Sequence, residues 1–127
     1  MLSVEIYIEK ANICRNFVMD NRMGVPYIYG DDRFKEIKEN ILNCISNGCK
    51  AILTKNKLPI PSNRDEVIQF IRNNHEIGSL LGKALHCMSE WEYYTLNRND
   101  YFAEQWLHDV ILWLRDFCDY LDGNYSV

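Results

Sequence analysis

Apolar residues recur at intervals of three and four along most of the chain, which is the spacing of one face of an α-helix. Within residues 3–22 that face consists of Val4, Ile8, Ala11, Cys14 and Val18. Val4, Ile6 and Ile8 also alternate as in a strand. Because the helical spacing continues well past these three residues, the pattern favours a helix that ends near Met23-Gly24, ahead of Pro26.

A second helix is expected after the loop that precedes Asp31, because Asp31 or Asp32 can cap its N-terminus. Its apolar face is formed by Phe34, Ile37, Ile41 and Ile45. Gly48 is placed to stop this helix, since glycine is common just after a helix C-terminus. The following stretch "CKAILTK" is expected to add one or two turns at most.

The middle of the chain predicts a third helix that opens at Asn63, with Glu66 three residues later as in a capping box. A kink is expected at "RNNHE", after which the apolar stripe resumes at Ile77 and continues through Trp91. Another line of this helix carries Gly78, Gly82 and Ser89, interrupted by Leu85. Small side chains permit the close approach of another element, so this line predicts packing on a second side of the helix.

The last helix is predicted to be capped by Asp100 and to carry a wide apolar face. Cys118 falls inside that face and is expected to be a buried thiol. The face is lined by Ala103, Leu107, Val110, Leu114, Phe117 and Leu121. Four long helical stretches joined by short loops predict an all-α fold, a single-domain bundle of four to five helices over residues 1–127.

Composition and charge narrow the functional classes. Apolar residues make up 47% of the chain and charged residues 25%, as expected for a globular protein. Residues 1–87 hold 12 basic and 10 acidic groups, whereas residues 88–127 hold 2 basic and 8 acidic groups. An acidic C-terminal third repels nucleic acid and attracts a basic protein. We therefore expect a protein partner rather than a nucleic acid, and the oligomeric state stays open.

The sequence predicts a cytoplasmic protein with no membrane association. Glu5 and Glu9 lie where a signal peptide would be apolar, and no apolar run is long enough to cross a bilayer. The five cysteines are odd in number and include no CxxC pair, which argues against a framework of disulfides.

No residue pattern predicts catalysis, a cofactor or a metal site. His86, Cys87, His108 and Cys118 are zinc-ligand types, but their spacing matches no zinc motif. There is no phosphate-binding glycine loop and no glycine-bracketed nucleophile. The segment "RNNH" contains an arginine and a histidine, as does the motif of helical HEPN ribonucleases. The two residues are too close together in sequence to match that motif.

The segments "EWEYY" and "WLRDFCDYLD" combine acidic and aromatic residues, and they make the C-terminal part of the chain both acidic and aromatic. In size and in this character the chain resembles the immunity proteins that bacteria make against colicins and contact-dependent growth-inhibition toxins. The resemblance covers the whole chain as a type and involves no shared motif. It implies tight binding of a cognate toxin, often a basic nuclease, so that the toxin's active site is blocked by steric occlusion.

The residues predicted to contact such a partner are acidic or aromatic and lie in the last two helices: Glu90, Glu92, Tyr93, Tyr101, Asp109, Asp116 and Asp119. Two other classes stay open. One is a viral Bcl-2-like bundle that sequesters a host signalling or death factor. The other is a small enzyme that would depend on His86 or His108.

Overall fold

The computed structural model describes residues 3–22 and 27–125, and within these ranges the chain folds into five α-helices with no strand. The helices are α1 (Val4–Asp20), α2 (Asp32–Lys55), α3 (Arg64–Asn74), α4 (Gly78–Leu96) and α5 (Asp100–Tyr125). The fold is therefore the all-α, single-domain bundle that the sequence predicts. The predicted break at Met23-Gly24 and Pro26 lies outside the described residues.

Side-chain caps mark where four of the described helices begin, and three of these caps are at α1, α2 and α3. Ser3 accepts a hydrogen bond from the Ile6 amide, and Asp31 accepts one from the Phe34 amide at 2.9 Å. Asn63 accepts from the amides of Asp65 and Glu66, as its position ahead of an apolar stripe predicts. Each cap satisfies amides that a helix N-terminus otherwise leaves without partners.

The predicted cap of α5 is wrong by one residue. Asn99, rather than Asp100, accepts a hydrogen bond from the Phe102 amide at 3.2 Å, and Asp100 is the first residue of the helix. Asp100 there still places a negative charge in the first turn, where the helix dipole favours it.

The predicted stop at Gly48 is also wrong, because α2 continues without a break to Lys55. Gly48 is buried against α5, and a Cβ atom at this position would overlap the Phe117 ring and lie 2.8 Å from a methyl group of Leu121. The glycine thus makes room for the Phe117 side chain of α5 and does not end a helix.

The predicted kink at "RNNHE" is a complete break between α3 and α4. His75 has an extended backbone, and its Nδ1 atom accepts a hydrogen bond from the Ile77 amide at 3.1 Å. Gly78 packs directly on the backbone of Arg72, where a Cβ would lie 2.7 Å from the carbonyl carbon. The predicted close packing therefore occurs at Gly78, while Ser89 on the same line is exposed.

Helices α2 and α5 share the centre of the bundle. Helix α2 packs against α1, α3 and α5, and helix α5 packs against α1, α2 and α4. The apolar faces predicted for α2 and α5 are buried along their length, and Cys118 has no exposed surface. None of the helices within the two described ranges combines the length and the apolar content needed to cross a membrane.

Candidate protein-binding surface

The turn between α4 and α5 is tightly fixed by its backbone. The Asn99 amide donates to the Tyr94 carbonyl at 2.9 Å, and the Arg98 amide donates to the Thr95 carbonyl at 3.3 Å. Arg98 adopts a left-handed conformation with φ of 58°. This pattern is the Schellman motif that ends many helices, with arginine where glycine is usual. The two helices consequently leave the turn in fixed directions.

An exposed set of large apolar side chains surrounds this turn. Their exposed fractions are 57% for Tyr93, 56% for Leu96, 69% for Tyr101 and 47% for Phe102. Tyr94, which is partly buried, connects them to the core. We call these five residues the apolar corner. Exposed apolar groups are common singly, but a contiguous group of them is typical of a binding site.

The rings of the apolar corner pack against one another in a chain that crosses from α4 to α5. Tyr93 contacts Tyr94 edge-on with ring centres 5.1 Å apart, and Tyr94 contacts Phe102 at 5.3 Å. Phe102 in turn contacts Tyr101 at 5.4 Å. Ring-to-ring contacts of this kind restrict side-chain motion, so a partner would meet a largely preorganised surface.

A pocket of about 360 Å³ lies beside the apolar corner. One wall is residues 27–29, which precede α2, and the other is formed by the end of α4 and the turn: Thr95, Leu96, Arg98 and Asp100. Tyr27 packs against the core on the side away from the pocket. Its ring contacts the buried Trp91 ring edge-on, with ring centres 5.8 Å apart. The pocket is within the size range of sites that receive a side chain or small ligand.

Tyr27 is held in place from three directions. Its hydroxyl donates a hydrogen bond to the Asn21 carbonyl, and the Arg33 guanidinium lies 5.1 Å from the centre of its ring. Burial raises the pKa of the Tyr27 phenol, so the group stays neutral at physiological pH. The residues before α2 therefore form a defined side of the pocket.

Among the predicted contact residues, Tyr93 and Tyr101 meet at the apolar corner, whereas the carboxylates spread along the helices. Asp116 and Asp119 are exposed on α5, and Asp119 lies about 27 Å along the helix axis from Tyr101 at 1.5 Å per residue. Tyr101 and Asp119 are separated by five full turns, so they lie on the same line of the helix. The predicted set therefore forms an elongated face and not a compact patch.

Glu90 of α4 and Asp109 of α5 both act on the Cys87 thiol of α4. Burial raises the pKa of this thiol, and the charges of Asp109 and Glu90 raise it further by repelling the thiolate. Both carboxylates are partly exposed. Two of the predicted contact residues therefore carry charge toward the same part of the α4–α5 interface.

Glu92 occupies a different position from the other predicted contact residues. Its carboxylate pairs with the Lys38 ammonium of α2 at 3.0 Å, and only 19% of the Glu92 side chain is exposed. This ion pair ties the end of α4 to α2. The residue is therefore engaged within the fold and presents little charge to a partner.

The predicted contact set lacks four members of the surface: Tyr94, Leu96, Arg98 and Phe102. The helical rotation of Phe102 places it well away from the buried face of α5, so this signal was present in the sequence. The contribution of Ile28 and Tyr29 to the pocket carried no local signal. Their position depends on contacts with α4, which are distant in the sequence.

The residues weighed as zinc ligands are dispersed. The His86 ring packs edge-on against Trp106, and the Nδ1 atom of His108 lies 3.2 Å from the Arg22 guanidinium. In the part of the chain that the structure describes, no three histidine, cysteine or carboxylate groups converge closely enough to hold a metal ion.

Comparison of the chain with protein-family models, with curated proteins and with solved structures found no match in any of the three. The functional argument therefore depends on the surface itself.

Proposed function

We propose that the chain is a protein-binding inhibitor, an immunity protein that binds a cognate toxin and occludes its basic active-site surface. The toxin class that we favour is a nuclease. One observation carries the proposal: the apolar corner is exposed, preorganised by ring contacts, and on the same line of α5 as Asp119. Apolar anchors surrounded by charge are characteristic of tight protein–protein interfaces.

The apolar corner would supply most of the binding free energy. Tyrosine is frequent among the residues that dominate interface energetics. Moving one large apolar side chain out of water contributes about 1.5–3 kcal/mol. Three such anchors, Tyr93, Tyr101 and Phe102, are enough to offset much of the cost of association, particularly because their rings are already ordered.

The carboxylates of α5 would supply specificity and speed. A nuclease holds the phosphate backbone with arginine and lysine side chains, and the same side chains pair with carboxylates. Asp109, Asp116 and Asp119 lie along one side of α5, where Asp116 also lies 3.9 Å from the Arg115 guanidinium. The negative charge of these carboxylates would raise the rate of encounter with a basic surface and cover the groups that bind substrate.

The proposal is tested by co-expression with the protein encoded next to this chain's gene. We expect that protein to be toxic when expressed alone, and the wild-type chain to relieve the toxicity. The triple variant Asp109→Lys, Asp116→Lys, Asp119→Lys is expected to fold and to lose most of the protection.

A matched control places the same charge change elsewhere. Glu5, Glu9 and Asp20 are exposed carboxylates of α1, and their triple replacement by lysine is expected to leave protection intact. Equal loss of protection in both triple variants would show that overall charge, and not the α5 surface, matters. Full protection by the α5 variant would remove that surface from the proposal.

A further inference from the structure

Two buried cysteines from the two central helices are in contact. Cys44 of α2 and Cys118 of α5 have no exposed surface, and their sulfur atoms lie 3.8 Å apart although the residues are 74 positions apart in sequence. This distance is a van der Waals contact between two free thiols. A disulfide bond, at about 2.05 Å, requires the sulfurs to move about 1.7 Å closer together.

Side chains of α5 pack tightly against α2 next to this pair. Gly48 lies one turn beyond Cys44 on the same side of α2, and it packs on the side chains of Phe117 and Leu121, which flank Cys118. A disulfide requires side chains that face each other. The sulfur–sulfur contact shows that Cys44 and Cys118 meet this requirement across the α2–α5 interface.

We propose that Cys44 and Cys118 form an oxidisable pair that closes to an intramolecular disulfide within the folded protein when it meets hydrogen peroxide. The modification joins the two central helices and leaves the remaining cysteines as thiols. It is independent of the binding surface, because neither residue lies at the apolar corner or on the exposed face of α5.

The surroundings of the two sulfurs indicate which cysteine reacts first with peroxide. Either sulfur can be the donor in the Cys44–Cys118 contact. This contact, together with the nearby Arg15, lowers the pKa of Cys118. The same contact and burial raise the pKa of Cys44. Because the thiolate is the reactive form, Cys118 is the residue that reacts first with peroxide.

The reaction balances with one peroxide as the oxidant. The Cys118 thiolate attacks one peroxide oxygen, the O–O bond breaks, and a sulfenic acid forms while hydroxide leaves and takes up a proton as water. The Cys44 sulfur then attacks the Cys118 sulfur, the S–O bond breaks, and a second water leaves with the Cys44 proton. Two thiols and one peroxide thus give one disulfide and two waters.

The other cysteines lack this arrangement. Cys49 is also buried in α2, and burial alone raises its pKa strongly. Burial likewise raises the pKa of Cys14, which is partly exposed and is therefore the most accessible competitor for oxidant. A Cys14→Ser variant removes this competitor, whose charged form also acts on Cys44, and keeps both cysteines of the pair.

The test treats folded Cys14→Ser protein with one equivalent of peroxide and then counts thiols in denaturant. We expect the count to fall from four to two, and peptide mapping to recover a cross-linked peptide that joins Cys44 to Cys118. The thermal midpoint should rise and return on treatment with dithiothreitol, because a cross-link restricts the unfolded chain. A further Cys49→Ala change should leave the loss of two thiols intact.

Four results would overturn the proposal. They are four retained thiols, a sulfinic acid at Cys118, a disulfide with another partner, or a cross-link that forms only in denaturant. A Cys118→Ala change in the same background should abolish the two-thiol loss. Should that variant fail to fold, the peptide map of the parent protein decides the matter alone.

Discussion

Gly48 and Phe117 are in direct contact across the α2–α5 interface, so closely that a Cβ atom on Gly48 would overlap the Phe117 ring. Phe117 is fully buried and is surrounded by other core side chains, which leaves it little room to move. The centre of the bundle therefore depends on the absence of a side chain at position 48.

The change Gly48→Ala is expected to lower the free energy of unfolding by about 1–3 kcal/mol, because an added carbon in a filled core forces its neighbours apart. Urea denaturation measures this change. The matched control is Gly82→Ala in α4, where a Cβ would meet only the Arg72 side chain, at 3.6 Å. That variant should be unchanged or more stable by up to about 1 kcal/mol, as alanine favours helix. A Gly48→Ala protein as stable as Gly82→Ala would contradict the close packing.

The ion pair between Lys38 and Glu92 predicts that Glu92 acts in stability and not in binding. Glu92→Gln should lower the free energy of unfolding by about 0.5–1 kcal/mol, whereas Glu90→Gln should change it by less than about 0.5 kcal/mol. A double-mutant cycle with Lys38→Gln measures the coupling directly. If the cycle shows no coupling, the pair does not tie α4 to α2 in solution.

Arg98 and Lys57 are the two described non-glycine residues with positive φ, at 58° and 57°. Replacement of either by glycine is expected to stabilise the fold by up to about 1 kcal/mol, because the left-handed conformation costs a side-chain-bearing residue energy. Arg98→Gly should also speed association with a basic partner, since it removes a positive charge from the pocket wall. Lys57→Gly lies elsewhere and should leave the association rate unchanged. Equal association rates for the two variants would show that Arg98 is not part of the binding surface.

Two threonines in helices give opposite predictions for the same change. The Thr54 hydroxyl is buried with no hydrogen-bond partner among the described residues, while the Thr95 hydroxyl donates to the Trp91 carbonyl at 2.7 Å. Thr54→Val should therefore raise the free energy of unfolding by about 1 kcal/mol, and Thr95→Val should lower it by about 0.5–1 kcal/mol. Thermal unfolding of both proteins checks the order, and a reversed order would contradict it.

The local features of the fold were predictable from the sequence. The apolar stripes give the helices because their period depends only on helix geometry, and Asp31 and Asn63 were recognisable as caps because each acts on amides two or three residues away. The same reasoning failed at Gly48. A glycine that ends a helix and one that admits a neighbouring helix look alike in sequence, and only the distant Phe117 distinguishes them.

Some features of the candidate surface were likewise predictable from the sequence, and others were not. Tyr93 and Tyr101 could be placed at one corner, since they flank a short turn between adjacent helices. The pairing of Glu92 with Lys38 could not, because it spans 54 positions. Nor could the pocket wall at residues 27–29, whose position depends on packing of Tyr27 against Trp91. Long-range contacts of this kind have no signature in a local pattern.

The central claim is that the apolar corner binds a partner. Calorimetric titration with the purified product of the neighbouring gene, the proposed partner, tests it most directly. The matched variants are Tyr101→Ala at the corner and Phe70→Ala, which truncates an exposed ring on α3. The account predicts that Tyr101→Ala weakens binding by about 30-fold or more, as for a residue that dominates an interface, with an unchanged thermal midpoint. Phe70→Ala should bind within about threefold of the wild-type chain, since most interface-distant truncations are neutral. Equal affinities for the wild type and Tyr101→Ala would contradict the claim.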